Sequence, residues 1–123
     1  MRIISPKVHG VLDYAVVASF YVAPGRLGFS ETAALLSYTL ATAHLIVTLC
    51  TAFPWGVFKL LPFRLHGALE AVVSASLLAM PWIFGFSAEA NARGFYITTG
   101  IGVLIVIALT DYGAVPARKA GKA

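Results

Sequence analysis

Four apolar stretches, residues 8–23, 33–53, 65–84 and 95–110, are separated by short joints that carry proline, glycine or charge. Each is long enough, with its flanks, to cross a hydrocarbon core of about 30 Å, which takes roughly 20 residues at about 1.5 Å per residue. The first is the shortest, and its basic start and its end at Tyr21-Val22-Ala23 give it the outline of a secretory signal. His9 and Asp13 interrupt that outline, and the same segment recurs in mid-chain, so it reads as a structural helix.

The recurrence is direct. Lys7-Val8-His9-Gly10-Val11-Leu12-Asp13 returns as Arg64-Leu65-His66-Gly67-Ala68-Leu69-Glu70, an offset of 57 (66 − 9). The same offset carries Pro24 to Pro81, Gly28-Phe29-Ser30 to Gly85-Phe86-Ser87, Thr42 to Thr99 and Gly56 to Gly113, and a gap-free repeat is expected. A repeated supersecondary unit buries its apolar face against its twin. Helix signals agree with these boundaries. Ser5-Pro6 and Leu61-Pro62 open the odd helices with proline at the first helical position, where its missing N–H costs nothing. Pro24 and Pro81, each followed by a glycine, are expected to close them; Ser30 and Ser87 are expected to cap the even helices, with Glu31 and Glu89 in their first turns. The predicted fold is all-α, an integral membrane four-helix bundle of two tandem two-helix repeats, residues 5–56 and 62–113, followed by a basic tail, 114–123.

Composition supports a lipid solvent. Hydrophobic residues make up 59% of the 123 and charged residues 11%, with mean hydropathy +0.86; an ordinary soluble domain is about 25% charged. A single cysteine, Cys50, rules out an intramolecular disulfide and a cysteine-rich zinc site, and is expected to pack as a small hydrophobe. The net charge of +4 does not indicate nucleic acid, because no basic stripe with interleaved aromatics is present. It indicates orientation instead. Two-helix units start and finish on one side, the side of Arg2, Lys7, Lys59, Arg64, Arg118, Lys119 and Lys122, whereas the hairpin tips hold only Arg26 and Arg93. By the positive-inside rule the termini and residues 54–62 are expected to be cytoplasmic, in a bacterial inner membrane, with Trp55, Tyr112 and Trp82 as interfacial anchors. Lipid is the expected partner, with a homo-oligomer or a larger membrane complex as further options.

Met80-Pro81-Trp82-Ile83-Phe84-Gly85-Phe86-Ser87, followed by small residues and the apolar run from Phe95, resembles the SPW-repeat family of small bacterial multipass membrane proteins. Met80 stands in place of the motif's serine, and the first copy, Ala23-Pro24-Gly25, keeps only the proline. The resemblance implies a multipass helical architecture and carries no functional residue across.

The residues that demand a function are polar ones at membrane depth. Asp13 and Glu70 lie about 10 Å along their helices from Pro6 and Pro62, at 1.5 Å per residue, and a charge there costs about 2.5–3.5 kcal/mol on the insertion scale, so each must face the interior or a partner. His9 and His66 precede them by four residues on the same helical face. His44 and Asp111 approach the same half of the bundle from the even helices. Three readings follow. The cluster is hydrogen-bonding glue in a non-catalytic scaffold or accessory module, with Gly10 and Gly67 allowing close helix approach. Alternatively it is a ligand site for zinc, iron, manganese or haem, in which His9, His66, Asp13 and Glu70 converge. The third reading is a proton- or ion-coupled transport component built on Asp13, Glu70 and His44. The scaffold leads at this stage, since no phosphate loop, nucleophile elbow or His-Glu-x-x-His pair points to an enzyme. Ser74, Ser76, Thr98 and Thr99 read as packing residues, as do Gly100 and Gly102.

Overall fold

The computed structural model describes residues 1–115; Arg118, Lys119 and Lys122 of the expected basic tail lie outside the described residues. The chain is predominantly α-helical: α1 (Pro6–Leu27), α2 (Glu31–Leu49), α3 (Phe63–Leu77), a short α4 (Met80–Ile83) and α5 (Ala90–Leu109). α1 packs along α2 and α3 along α5, while α1 also touches α5. Two parallel pairings close one end of the molecule. There β1 (Thr51–Ala52) runs beside β2 (Leu61–Pro62), and Ile4 bridges Thr110. The segments before the odd helices thus sit against the ends of the even ones. At the opposite end the tips meet through Ser30 N–H on Glu89 Oε1 at 2.9 Å and Asn91 Nδ2 on the Leu27 carbonyl at 3.0 Å.

α2 and α5 are each long and apolar enough to cross a membrane. Large apolar side chains face outward on the other long helices too, Val11 and Val22 on α1 and Leu69, Val72 and Val73 on α3, while His9, Asp13, His66 and Glu70 point inward. The apolar core, around Phe20, Ala33, Ala41, Leu77, Phe86 and Tyr96, fills the half nearer the tips.

Local chemistry explains where the helices start and stop. Ser5 caps α1 by accepting the Val8 N–H at 3.2 Å, with Pro6 at the first position as expected. Pro62 stands one residue outside α3, whose first residue is Phe63. Pro24 does not end α1, which continues to Leu27 and stops at Gly28, where φ is +66°, a conformation glycine adopts without a Cβ penalty. A proline withholds the N–H that would satisfy the carbonyl four residues earlier. Here that carbonyl, Phe20 O, accepts from Ser37 Oγ of α2 at 2.6 Å, so the helix runs on. Around Pro81 the corresponding carbonyl is that of Leu77, and α3 ends at Leu77. Tyr96, which faces this region from α5, sends its hydroxyl to Ala33 O instead.

The gap-free offset holds for the odd helices only. Buried positions Pro6, His9, Gly10, Asp13 and Phe20 of α1 lie 57 residues before buried Phe63, His66, Gly67, Glu70 and Leu77 of α3. In α2 and α5, Ala33, Ser37 and Ala41 match Ala92, Tyr96 and Gly100 at an offset of 59 (92 − 33). Two residues, inserted between Phe86 and Ala90, account for the shift. Glu89 rather than Ser87 therefore holds the cap position of α5, and its carboxylate crosses to the other tip. Gly100 does admit close packing, since a Cβ there would meet Ser74 O at 2.8 Å, but Gly102 faces open space.

Candidate functional site

At the closed end, one turn inside α1 and α3, three imidazoles and two carboxylates meet. His9, Asp13, His66 and Glu70 are 0%, 2%, 1% and 9% exposed. The four-residue spacing sets each acid above its own histidine, and the inward faces of α1 and α3 bring the two pairs together, His9 onto Glu70 and His66 onto Asp13. His9 Nε2 lies 3.2 Å from Asp13 Oδ1 and 3.0 Å from Glu70 Oε2; His66 Nε2 lies 3.2 Å from Asp13 Oδ2 and 3.6 Å from Glu70 Oε2. One donor atom from each of these four residues falls within 4.8 Å of all the others. His44 of α2 stands slightly apart, its Nε2 at 3.6 Å from Asp13 Oδ1 and 3.5 Å from Glu70 Oε1. Asp111 does not join them: its Oδ1 accepts the Gly113 N–H at 3.1 Å and caps the turn at Tyr112–Ala114, because two residues past the end of α5 the chain has already turned away.

Two threonines that the sequence reading passed over orient the rings. Thr110 Oγ1 is 2.8 Å from His9 Nδ1 and donates its only hydrogen to Val106 O at 2.6 Å. Thr51 Oγ1 is likewise 2.8 Å from His66 Nδ1 and donates to Val47 O at 2.6 Å. With that hydrogen committed, each hydroxyl can only accept, so both Nδ1 atoms carry the proton. His9 Nε2 is within hydrogen-bond distance of Glu70 Oε2 at 3.0 Å, to which it donates when the ring is an imidazolium; in neutral rings the lone pairs are on Nε2, facing the carboxylates. Such outer partners orient metal-ligating histidines and raise their basicity. The offset of 59 would have found them, since Leu45-Ile46-Val47 with Thr51 matches Leu104-Ile105-Val106 with Thr110.

Aromatic rings seal the end of the cluster. Phe63 lies edge-on to His9 at 5.2 Å, stacks on Phe53 at 5.2 Å and meets Tyr112 at 4.6 Å. Gly10 and Gly67 serve this seal rather than helix–helix contact: a Cβ on Gly10 would fall 2.3 Å from the Trp55 ring and one on Gly67 2.6 Å from the Tyr112 ring. Trp55 is tied down by its Nε1–H on Lys7 O at 2.8 Å. Burial, with the charges of Glu70 and Asp13 nearby, pushes the Tyr112 hydroxyl above its usual range.

The geometry has the dimensions of a site for one metal ion. Ligand atoms about 2.0–2.2 Å from a common ion lie roughly 3–4.4 Å from one another, depending on the angle between them. Two imidazoles with two carboxylates suit zinc, iron or manganese, and a divalent ion would balance the two carboxylate charges in an apolar surround. His66 Nε2 and Asp13 Oδ2, though 3.2 Å apart, are buried without a hydrogen-bond partner, as is His44 Nε2. Haem fits poorly, because the carboxylates of Asp13 and Glu70, within 3.0–3.2 Å of the His9 and His66 Nε2 atoms, occupy the space a porphyrin would need.

In comparisons with family models, curated proteins and solved structures, nothing matches this chain. The likeness to SPW-repeat proteins therefore rests on its short motif alone.

Proposed function

We propose that this chain is a bacterial inner-membrane protein of two tandem helical hairpins that holds one divalent transition-metal ion through His9, His66, Asp13 and Glu70. The observation that carries the reading is the buried, unpartnered pair His66 Nε2 and Asp13 Oδ2. An imidazolium paired with a carboxylate aligns its N–H on an oxygen; two lone-pair donors this close, not aligned with each other, suit a shared cation. α1 and α3 cross the bilayer beside α2 and α5, their polar faces turned inward and their apolar faces toward lipid. Lys7, Lys59 and Arg64 put the metal end on the cytoplasmic side. His9, His66, Asp13 and Glu70 would supply the ligands, Thr51 and Thr110 would hold the two rings in the ligating tautomer, and Phe53, Phe63 and Tyr112 would exclude water. The ion supplies Lewis acidity.

Protein purified in detergent is expected to retain one equivalent of zinc, iron or manganese, or to take it up on titration, by elemental analysis. His66→Leu and Asp13→Asn are expected to lose it. A parent that stays empty with all three metals overturns the metal reading; if His66→Leu and Asp13→Leu are then each less stable than that parent, hydrogen-bonded glue, the scaffold role, stands in its place.

A further inference from the structure

A cavity of about 110 Å³ runs to the cluster from the side of the molecule. Phe20, Leu40 and Leu77 are among its walls, and His44, His66 and Glu70 form its polar end. We propose that this cavity admits a small uncharged molecule that ligates transition metals, of the size and polarity of a diatomic gas, to an open coordination position on the ion, with His44 as the side chain that meets it. The proposal rests on the metal reading above.

Size, polarity and asymmetry each support this occupant. An apolar cavity of about 150 Å³ holds benzene or xenon, so the space here suits a smaller guest. Its walls are almost wholly apolar, which penalises a charged or strongly hydrated ligand with nothing to replace its water. The outer rim includes the exposed side chains Ala43 of α2 and Val73 of α3, faces that the proposed membrane arrangement turns toward lipid, where apolar gases concentrate. The opposite flank is shut: His9 is covered by Phe63 and Tyr112.

The two halves differ where the cavity meets the site. The α5 position that matches His44 at the offset of 59 is Val103, which lines the cavity with an apolar side chain. His44 is thus the one member of the cluster without a counterpart. It is also the most exposed, with 19% of its side chain accessible, and stands farther from the carboxylates than the closest approaches of His9 and His66. His44 lines the cavity, and its unpartnered Nε2, 3.6 Å from Asp13 Oδ1 and 3.5 Å from Glu70 Oε1, stands beside the site, where a guest bound to the ion would come within hydrogen-bond reach.

Nitric oxide is the probe. Anaerobic protein loaded with ferrous iron is expected to bind one nitric oxide per iron, read by the paramagnetic resonance signal of a high-spin iron–nitrosyl and by its absorption band. Ala43→Phe and Val73→Phe, both at the exposed rim, are expected to keep the iron and slow nitric oxide binding by roughly tenfold or more, within the one to three decades over which on-rates move among related variants. His44→Leu is expected to keep the iron and release nitric oxide faster. Iron-loaded parent protein that does not bind nitric oxide overturns the open-position proposal while the metal site stands. Unchanged rates in both rim variants overturn the cavity as the route. A parent that binds no iron, zinc or manganese removes the metal reading and this proposal with it, so the three failures are distinct.

Discussion

At the residue scale the decisive atoms are hydroxyl hydrogens. Thr51 and Thr110 each give theirs to a helix carbonyl, and that choice puts the proton of His66 and His9 on Nδ1 and leaves Nε2 of a neutral ring with its lone pair toward the carboxylates. Valine has the same shape without the acceptor. Thr51→Val and Thr110→Val are therefore expected to weaken metal binding about 10–100-fold each, the usual effect of removing an outer partner of a ligating histidine, measured by competition with a chelating dye. Unchanged affinity in both would mean that the rings are oriented by packing alone. His9, Asp13, His44, His66 and Glu70 were legible in the sequence because charge and imidazole are conspicuous in apolar segments. The threonines were not, because a threonine near a helix end usually packs or caps, and only its distance to an imidazole distinguishes the role.

At the element scale the informative contrast is between two prolines. They stand 57 residues apart at matching places in the two halves, yet α1 passes through Pro24 and α3 stops before Pro81. The difference is one hydroxyl, Ser37 Oγ on Phe20 O. Ser37→Ala is expected to destabilise the protein by about 1–3 kcal/mol, the cost of a buried carbonyl left without a donor. In a Pro24→Ala background, where the backbone N–H restored by that substitution can take the carbonyl, the same change is expected to cost measurably less, as coupled neighbours do. Equal costs in the two backgrounds, by chemical unfolding in detergent, would show that Ser37 does not act through the proline. Gly67 makes a second element-scale case. A side chain there would collide with the Tyr112 ring, so Gly67→Val is expected to lower stability by about 1–3 kcal/mol through overpacking, with much of the loss recovered by Tyr112→Ala.

At the scale of the whole molecule, both hairpin tips lie at one end and the N-terminal segment, the β1–β2 connection and the end of α5 lie at the other. In the proposed membrane arrangement Lys7, Lys59 and Arg64 assign that second end to the cytoplasm by the positive-inside rule. Single cysteines placed at Arg26 and Arg93 in a Cys50→Ala background are expected to react with an impermeant thiol reagent in intact cells, and one at Lys59 only after lysis. Labelling of position 59 from outside would invert the orientation.

What the sequence determined by itself was periodic and local: helices, the glycine stop of α1 at Gly28, the likeness of α1 to α3, and the short set of polar residues that lipid would reject. These follow from short-range sterics and from the cost of placing charge in hydrocarbon, which act on neighbours a few residues apart. Tertiary structure alone decided the rest. It set α5 against α2 at the offset of 59, left Asp111 at a turn, ran α1 through Pro24, turned Gly10 and Gly67 toward aromatic rings, and joined Thr51 to His66 and Thr110 to His9. The last three depend on atoms brought from 15 or more residues away, and a contact of that kind leaves no periodic trace in the chain, because its geometry exists only once the helices have packed.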